Sequence, residues 1–157
     1  MDNHGVFMKM ACNMAAQNVL EGGGPFGAII VDAEDYVVGK GCNRVTLDCD
    51  PTAHAEMVAI RNACKNVGKF DLGGCTLYTS CEPCPMCLSA IYWSRVKTVY
   101  YGNTRKDAKA IGFDDDLIYE EVAKPIEERI ISMTRCGEDV AIKAFQLWCE
   151  KTDKTEY

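Results

Sequence analysis

The sequence has few histidines, no excess of basic residues and no long hydrophobic run. Its 157 residues include 17 Lys and Arg against 23 Asp and Glu, so the formal net charge is −6. This charge argues against a nucleic-acid partner, because phosphate binding depends on clustered basic side chains. The apolar runs are all far shorter than the roughly 18 residues of a transmembrane helix, so we expect no membrane partner.

The first residues lack the features of a secretory signal. Residues 1–16 have no basic start, no continuous apolar block and no cleavage site. Ten cysteines in a chain without such a signal indicate reduced thiols rather than a disulfide framework. We therefore expect a cytoplasmic protein in which most cysteines are small buried apolar residues.

Helical and strand patterns alternate along the chain, which predicts an α/β fold with helices on both faces of a sheet. The first two strands are expected to form a hairpin, because only a short turn separates them. The length suits a single domain, residues 1–150, followed by a polar tail, residues 151–157. The predicted helices cover residues 3–20, 50–66, 82–94, 115–123 and 138–150, and the predicted strands cover residues 26–31, 36–42, 75–79, 97–101 and 129–134.

The two histidines are His4 and His54, and only His54 lies in a pattern with chemical meaning. His4 lies near the terminus, and we assign it no role. His54 begins a predicted helix, and Cys84 and Cys87 begin another. One histidine and two cysteines make three protein ligands, which leave the fourth tetrahedral position of a catalytic zinc open for water.

Both ligand segments lie at helix starts, where unpaired N–H groups and the helix dipole favour thiolates. Two thiolates make the bound zinc a weaker Lewis acid, so its water needs a proton acceptor. Glu56 is the natural acceptor, because it lies two residues after His54 and has a long side chain. We place both residues in the first helical turn and expect an apolar pocket to raise the pKa of the Glu56 carboxyl.

Two other interpretations of the cysteines are possible. Residues 81–87 contain two overlapping Cys-x-x-Cys pairs, which could form a redox pair. Together with Cys75 they could also form a closed four-thiolate structural zinc site. The order of His54, Glu56 and the cysteines favours the catalytic site, and it leaves Cys81 as a buried thiol.

These residues resemble the cytidine-deaminase-like superfamily of zinc deaminases, whose signature joins His-x-Glu to Pro-Cys-x-x-Cys. The resemblance covers essentially the whole chain. It implies a three-layer α/β/α sandwich around a five-stranded mixed sheet, with one Zn²⁺ per chain. Residues 23–28, 50–56 and 78–87 match the branch that acts on purine bases and on adenosine in tRNA.

A narrower resemblance links the C-terminal half to the short, zinc-binding bacterial guanine deaminases. It rests on residues 111–115, 118–119, 124–129 and 154–157. It implies hydrolysis of the purine base guanine to xanthine and ammonia, by attack of zinc-bound hydroxide on C2 with Glu56 as the proton shuttle.

The same resemblance implies five substrate-binding residues. Phe26 would stack on the base, Asn43 and Asp115 would contact its polar edge, and Ala55 would offer its backbone N–H. Tyr157 would reach the substrate of a neighbouring subunit. Each has a simpler interpretation: Phe26 as core, Asn43 as a turn residue, the acidic run 114–116 as a solvated helix start, and Tyr157 as a disordered end.

The resemblance also implies a homodimer in which residues 151–157 of one chain close the site of the other. A tRNA-editing adenosine deaminase is the leading alternative function, but it should carry a basic C-terminal helix. Residues 138–157 instead hold three Lys, five acidic residues and no Arg. Deaminases of cytosine, guanosine or a pteridine stay open alternatives, and a structural zinc module is the alternative outside enzymes.

Overall fold

The computed structural model describes residues 3–157. The chain divides into two compact units, the first ending at Asp115 and the second being Asp116–Tyr157. The helices are α1 (His4–Leu20), α2 (Val45–Asp48), α3 (Ala55–Val67), α4 (Pro85–Trp93), α5 (Arg105–Ala110), α6 (Asp116–Ala123) and α7 (Glu138–Glu150), and a short 3₁₀ helix covers Ile126–Glu128. The strands are β1 (Gly27–Val31), β2 (Val37–Cys42), β3 (Thr76–Cys81) and β4 (Thr98–Asn103).

The strands of the first unit form one mixed sheet in the order β2-β1-β3-β4. Strand β1 pairs antiparallel with both β2 and β3, and β3 pairs parallel with β4. The predicted hairpin is therefore confirmed. The α/β class is also confirmed, but across residues 3–157 the sheet has four strands where five were expected.

The missing strand is the one predicted at residues 129–134. Neighbouring isoleucines favour a strand locally, but a strand is stable only when a partner satisfies its backbone groups. The backbone N–H of Ile130 donates to a carboxylate oxygen of Glu121 at 2.7 Å instead of to a neighbouring strand. Ile130 and Ile131 are 71% and 75% exposed, so no apolar face holds this segment in a sheet.

Two core clusters lie on opposite faces of the sheet and make the first unit three-layered. Because side chains alternate along a strand, Ile29 and Val31 of β1 face α1, while Ala28 and Ile30 face α3 and α4. Helix α3 lies very close to β2, since a Cβ added to Gly41 would lie 2.2 Å from the Ala55 carbonyl oxygen. This close packing fixes the start of α3 against the sheet.

Helix α3 begins later than predicted. The Asp50 carboxylate accepts hydrogen bonds from the backbone N–H and the hydroxyl of Thr52, at 2.8 and 2.7 Å, and so stabilises a turn instead of a helix start. His54 is extended and precedes the first helical residue. Helix α4 also begins later than predicted, with Pro85 rather than Pro83 in its first turn.

No residue of the second unit, Asp116–Tyr157, is fully buried. Its helix α7 has the predicted bounds, and its apolar residues Val140, Phe145 and Leu147 are exposed. Within residues 3–157, no helix has both the length and the apolar composition of a membrane span.

Candidate active site

The three predicted metal ligands come together at the starts of two helices. His54 and Cys84 are the residues immediately before α3 and α4, and Cys87 lies in the first turn of α4. The Nδ1 atom of His54 lies 3.5 Å from the Cys84 sulfur and 3.6 Å from the Cys87 sulfur. The donor atoms of all three lie within 4.8 Å of one another, so the group could hold a metal ion.

These distances fit a tetrahedral zinc ion. Zinc binds sulfur at roughly 2.3 Å and histidine nitrogen at roughly 2.0–2.1 Å, which places a ligand nitrogen and a ligand sulfur about 3.5 Å apart. The observed nitrogen–sulfur separations agree with this value. Three ligands of this kind leave one position for water, as a catalytic zinc site requires.

The Glu56 carboxyl lies beside the ligand group in a closed environment. It is 6% exposed, and burial raises its pKa above the ordinary value. One carboxylate oxygen accepts a hydrogen bond from the Thr79 hydroxyl at 3.2 Å, and the other accepts one from the Cys87 thiol at 3.4 Å. The Glu56 carboxyl is therefore buried with a raised pKa, as expected, and its role as the proton shuttle stays a prediction.

The cysteines of this region differ in acidity. Contacts with Cys87 and then with His54 hold the pKa of the Cys84 thiol below its ordinary value. Burial raises the pKa of Cys81 to about 11, and its thiol donates to the Thr104 carbonyl at 3.8 Å. Within residues 3–157, neither Cys81 nor Cys75 joins a group of three or more potential metal ligands, which argues against the four-thiolate alternative.

Three of the predicted substrate-binding residues lie around the start of α3. The backbone N–H of Asn43 donates to the Phe26 carbonyl at 3.1 Å, and that of Arg44 donates to the Ala53 carbonyl at 2.9 Å. These bonds connect the segment before β1, the segment after β2 and the segment that carries His54. Ala55 is the first residue of α3, where helix N–H groups have no partner within the helix.

Phe26 packs as its simpler interpretation, a core residue, expects, and its stacking on a base stays a prediction. Its side chain is partly buried against the core cluster of α3 and α4. Its ring also meets the edge of the Phe113 ring, with centroids 4.9 Å apart and planes at 87°. These contacts hold the ring at the start of β1.

Asp115 is less exposed than its neighbour Asp114. Its side chain is 19% exposed and lies 3.8 Å from Nε of Arg105, whereas Asp114 is 48% exposed and pairs with Lys109. The backbone N–H of Arg105 donates to Glu82 at 2.8 Å, next to the ligand segment. Asp115 is therefore partly shielded from solvent, unlike a freely solvated residue, and its contact with the base stays a prediction.

Tyr157 belongs to the second unit and is 71% exposed. Its proposed contact with a neighbouring subunit stays a prediction.

Two buried polar residues of this region, Thr79 and Asn18, have no role predicted from the sequence. The Thr79 hydroxyl bonds to Glu56, which lies 23 positions away in the sequence. Asn18 continues the buried stripe of α1, after Phe7, Ala11 and Ala15. A polar residue at an apolar position of a helix is the signal that could have identified Asn18.

Comparison with known proteins gives one family. Residues 1–103 match the family described as the cytidine and deoxycytidylate deaminase zinc-binding region. A guanine deaminase from Bacillus subtilis is 49% identical over 99% of both chains, and its crystal structure superposes with a TM-score of 0.95. A solved guanine deaminase from Nitrosomonas europaea is 32% identical, covering 70% of this chain and 64% of its own, with a TM-score of 0.68. A tRNA-specific adenosine deaminase from Haemophilus influenzae is 40% identical over 69% of this chain and 65% of its own.

Proposed function

The chain belongs to the cytidine and deoxycytidylate deaminase family, whose zinc-binding region it contains, and we propose from this that it is a zinc-dependent guanine deaminase. The observation that carries the proposal is the His54, Cys84 and Cys87 donor group beside the buried Glu56 carboxyl. The choice of guanine is supported by the similarity to the Bacillus subtilis enzyme over the full length of both chains. The reaction converts guanine and water to xanthine and ammonia.

His54, Cys84 and Cys87 would hold Zn²⁺, which would supply the Lewis acid that lowers the pKa of water. Glu56 accepts a proton from the attacking water and delivers it to the ring nitrogen next to C2. Once the water oxygen is bonded to C2, the same carboxylate takes the remaining proton of that oxygen and passes it to the amine, which leaves as ammonia while the C2–O bond becomes a carbonyl. Burial suits Glu56 to this exchange, because a raised pKa brings its protonated and ionised forms closer in free energy near neutral pH.

The remaining side chains bind the base. Phe26 stacks on the ring, Asn43 and Asp115 bond its polar edge, and the Ala55 backbone N–H donates to an acceptor on the ring. Guanine offers neutral donors and acceptors along one edge, which match an amide and a carboxylate. Bases with a different edge leave these buried groups unpaired, which weakens their binding.

A substrate panel tests the proposed function. We expect kcat/KM for guanine to exceed that for guanosine, adenine and cytosine by at least about 10², because unpaired buried groups penalise the wrong edge. The measurement is ammonia release by the zinc-loaded protein. The Asp115→Asn substitution should reduce turnover of guanine more than turnover of the other bases in the panel.

The same panel includes an adenosine-containing tRNA stem-loop, which tests the leading alternative. Deamination of that adenosine faster than guanine would favour a tRNA-editing function. We do not expect it, since residues 138–157 hold five acidic residues, three Lys and no Arg.

The metal-ligand assignment is tested by substitution at two cysteines three positions apart. Cys84→Ala should lose most of the bound zinc, because two remaining ligands form a much weaker site. Cys81→Ala is the matched control and should keep one zinc per chain. Elemental analysis of the purified variants measures their zinc content. If Cys81→Ala loses zinc and Cys84→Ala retains it, Cys81 and not Cys84 is the metal ligand.

We also propose that the protein works as a cytoplasmic homodimer in which residues 151–157 of each chain close the partner's site. The exposed apolar side chains of α7 support this proposal, because they need a covering surface. The ten cysteines, all unpaired in the structure, support a reducing compartment.

A further inference from the structure

Asn18 is a buried amide on the core side of α1. It is 4% exposed, and it follows Phe7, Ala11 and Ala15 on the buried side of the helix. Asn13, on the same helix, is exposed. An amide without hydrogen-bond partners is unfavourable in such a position, so the contacts of Asn18 explain why the fold tolerates it.

The side-chain amino group of Asn18 joins two loops of the site. It donates to the Gly24 carbonyl and to the Asn43 carbonyl, each at 2.8 Å. Because both partners are carbonyl oxygens, only the amino end of the amide can bond to them, and the orientation of Asn18 is fixed. One side chain therefore holds the segment before β1 against the segment after β2.

The two glycines of the first loop are packed against this amide. A Cβ on Gly23 would lie 2.3 Å from the Asn18 amide nitrogen, and a Cβ on Gly24 would lie 2.9 Å from Cγ of Asn43. A Cβ does not approach a non-bonded carbon or nitrogen atom so closely, so any side chain at either glycine would displace its neighbour. The contact, and not a left-handed backbone, requires glycine at both positions.

Asn43 is thereby held on several sides. Its carbonyl accepts from Asn18, its backbone N–H donates to the Phe26 carbonyl at 3.1 Å, and its side-chain oxygen accepts from the Val45 N–H at 3.2 Å. Gly24 packs against its side chain. With its oxygen accepting from Val45, the Asn43 amide would meet a ligand through its amino group, as a donor.

We propose that Asn18 is a positioning residue that orients Asn43 for base binding, with Gly23 and Gly24 as the close-packed surface behind it. The proposal rests on the proposed function in one respect, that Asn43 binds the base. Asn18 itself touches no substrate. It acts on the ground state and the transition state alike, so its loss should raise KM and leave kcat nearly unchanged.

The first test is Asn18→Leu, which removes both donors at similar volume. We expect the KM for guanine to rise at least about tenfold, with kcat within about threefold and one zinc per chain retained. Asn13→Leu is the matched control, since it makes the same change at an exposed position of α1, and it should leave both constants unchanged. An unaltered KM in a folded Asn18→Leu variant would overturn the proposal.

Gly24→Ala tests the same positioning without removing a core hydrogen bond, and it decides the question if Asn18→Leu does not fold. The added methyl group should displace the Asn43 side chain and raise KM similarly. Gly74→Ala is the control, because a Cβ at Gly74 meets no atom within 4 Å. Normal KM in Gly24→Ala would show that the displacement has no effect on base binding and would contradict the proposal.

A double-mutant cycle separates positioning from simple destabilisation. If Asn18 acts through Asn43, the effect of Asn18→Leu on KM should largely disappear in an Asn43→Ala background. Additive effects would mean that Asn18 acts elsewhere. If the wild-type protein is inactive on guanine, guanine is not its substrate and the proposed function is wrong. The cycle would then be run with the base that the wild type does deaminate, and the same coupling between Asn18 and Asn43 is expected.

Discussion

A Glu56→Gln variant is expected to retain its fold and its zinc while its kcat falls by at least about 10³-fold. General acid–base catalysis alone contributes about 10²–10⁴-fold, and Glu56 serves both the uptake and the delivery of protons. Glutamine keeps the shape of the side chain and can still accept from Thr79, but it cannot take up a proton. Ammonia release, zinc content and the melting temperature, measured on one preparation, distinguish this result from unfolding.

The variant should be no less stable than the wild type, because an amide replaces a buried carboxyl whose ionisation is already unfavourable. Glu34→Gln is the matched control, since the same substitution at an exposed turn should change neither activity nor stability. Activity of Glu56→Gln within about threefold of the wild type would remove Glu56 from the mechanism.

The metal-ligand group could be predicted from the sequence because its information is local and rare. His54 is one of only two histidines, and the spacing of Cys84 and Cys87 matches a single helical turn. The general α/β architecture followed from the alternation of helices and strands. The structure then showed His54 and Cys84 immediately before their helices, in the extended backbone that turns both donors towards one point.

The errors arose where local preference and tertiary context disagree. The residues around Ile130 favour a strand by composition, but no strand lies beside them in the described chain. The start of α3 was misplaced because Asp50 is as suitable for a turn as for a helix start. In both cases a contact, or the lack of one, decided between two locally acceptable conformations.

The roles of Asn18 and Thr79 depend on contacts between distant parts of the sequence. Asn18 bonds to a carbonyl 25 positions away, and Thr79 bonds to a carboxylate 23 positions away. No spacing rule within a single helix or strand connects such pairs. The sequence shows only that a polar residue occupies an apolar position, and the fold shows what it bonds to.

Deletion of residues 151–157 is expected to leave zinc binding and folding intact while kcat/KM falls by at least about 10²-fold. A free base is small, so the protein must exclude water and fix the ring with an element that closes after binding. The tail is polar except for its terminal Tyr157, which can cover an aromatic ring. Kinetics and zinc content of the truncated chain are the measurements, and unchanged kcat/KM would exclude a role of the tail in closure.

Subunit mixing decides whether the tail acts on its own site or on that of the partner. A tail-deleted chain with intact Glu56 is combined with a full-length Glu56→Gln chain, under conditions that exchange subunits. If tails act across the dimer, each heterodimer holds one site with both Glu56 and a covering tail, and random pairing restores about a quarter of the wild-type activity per site. If each tail covers its own site, neither chain of the heterodimer has a complete site and the mixture stays inactive. Native mass spectrometry must show that the heterodimer is present. A heterodimer without recovered activity would refute the hypothesis that the tail acts on the partner's site, because Glu56 and a covering tail would then be present together in an inactive site.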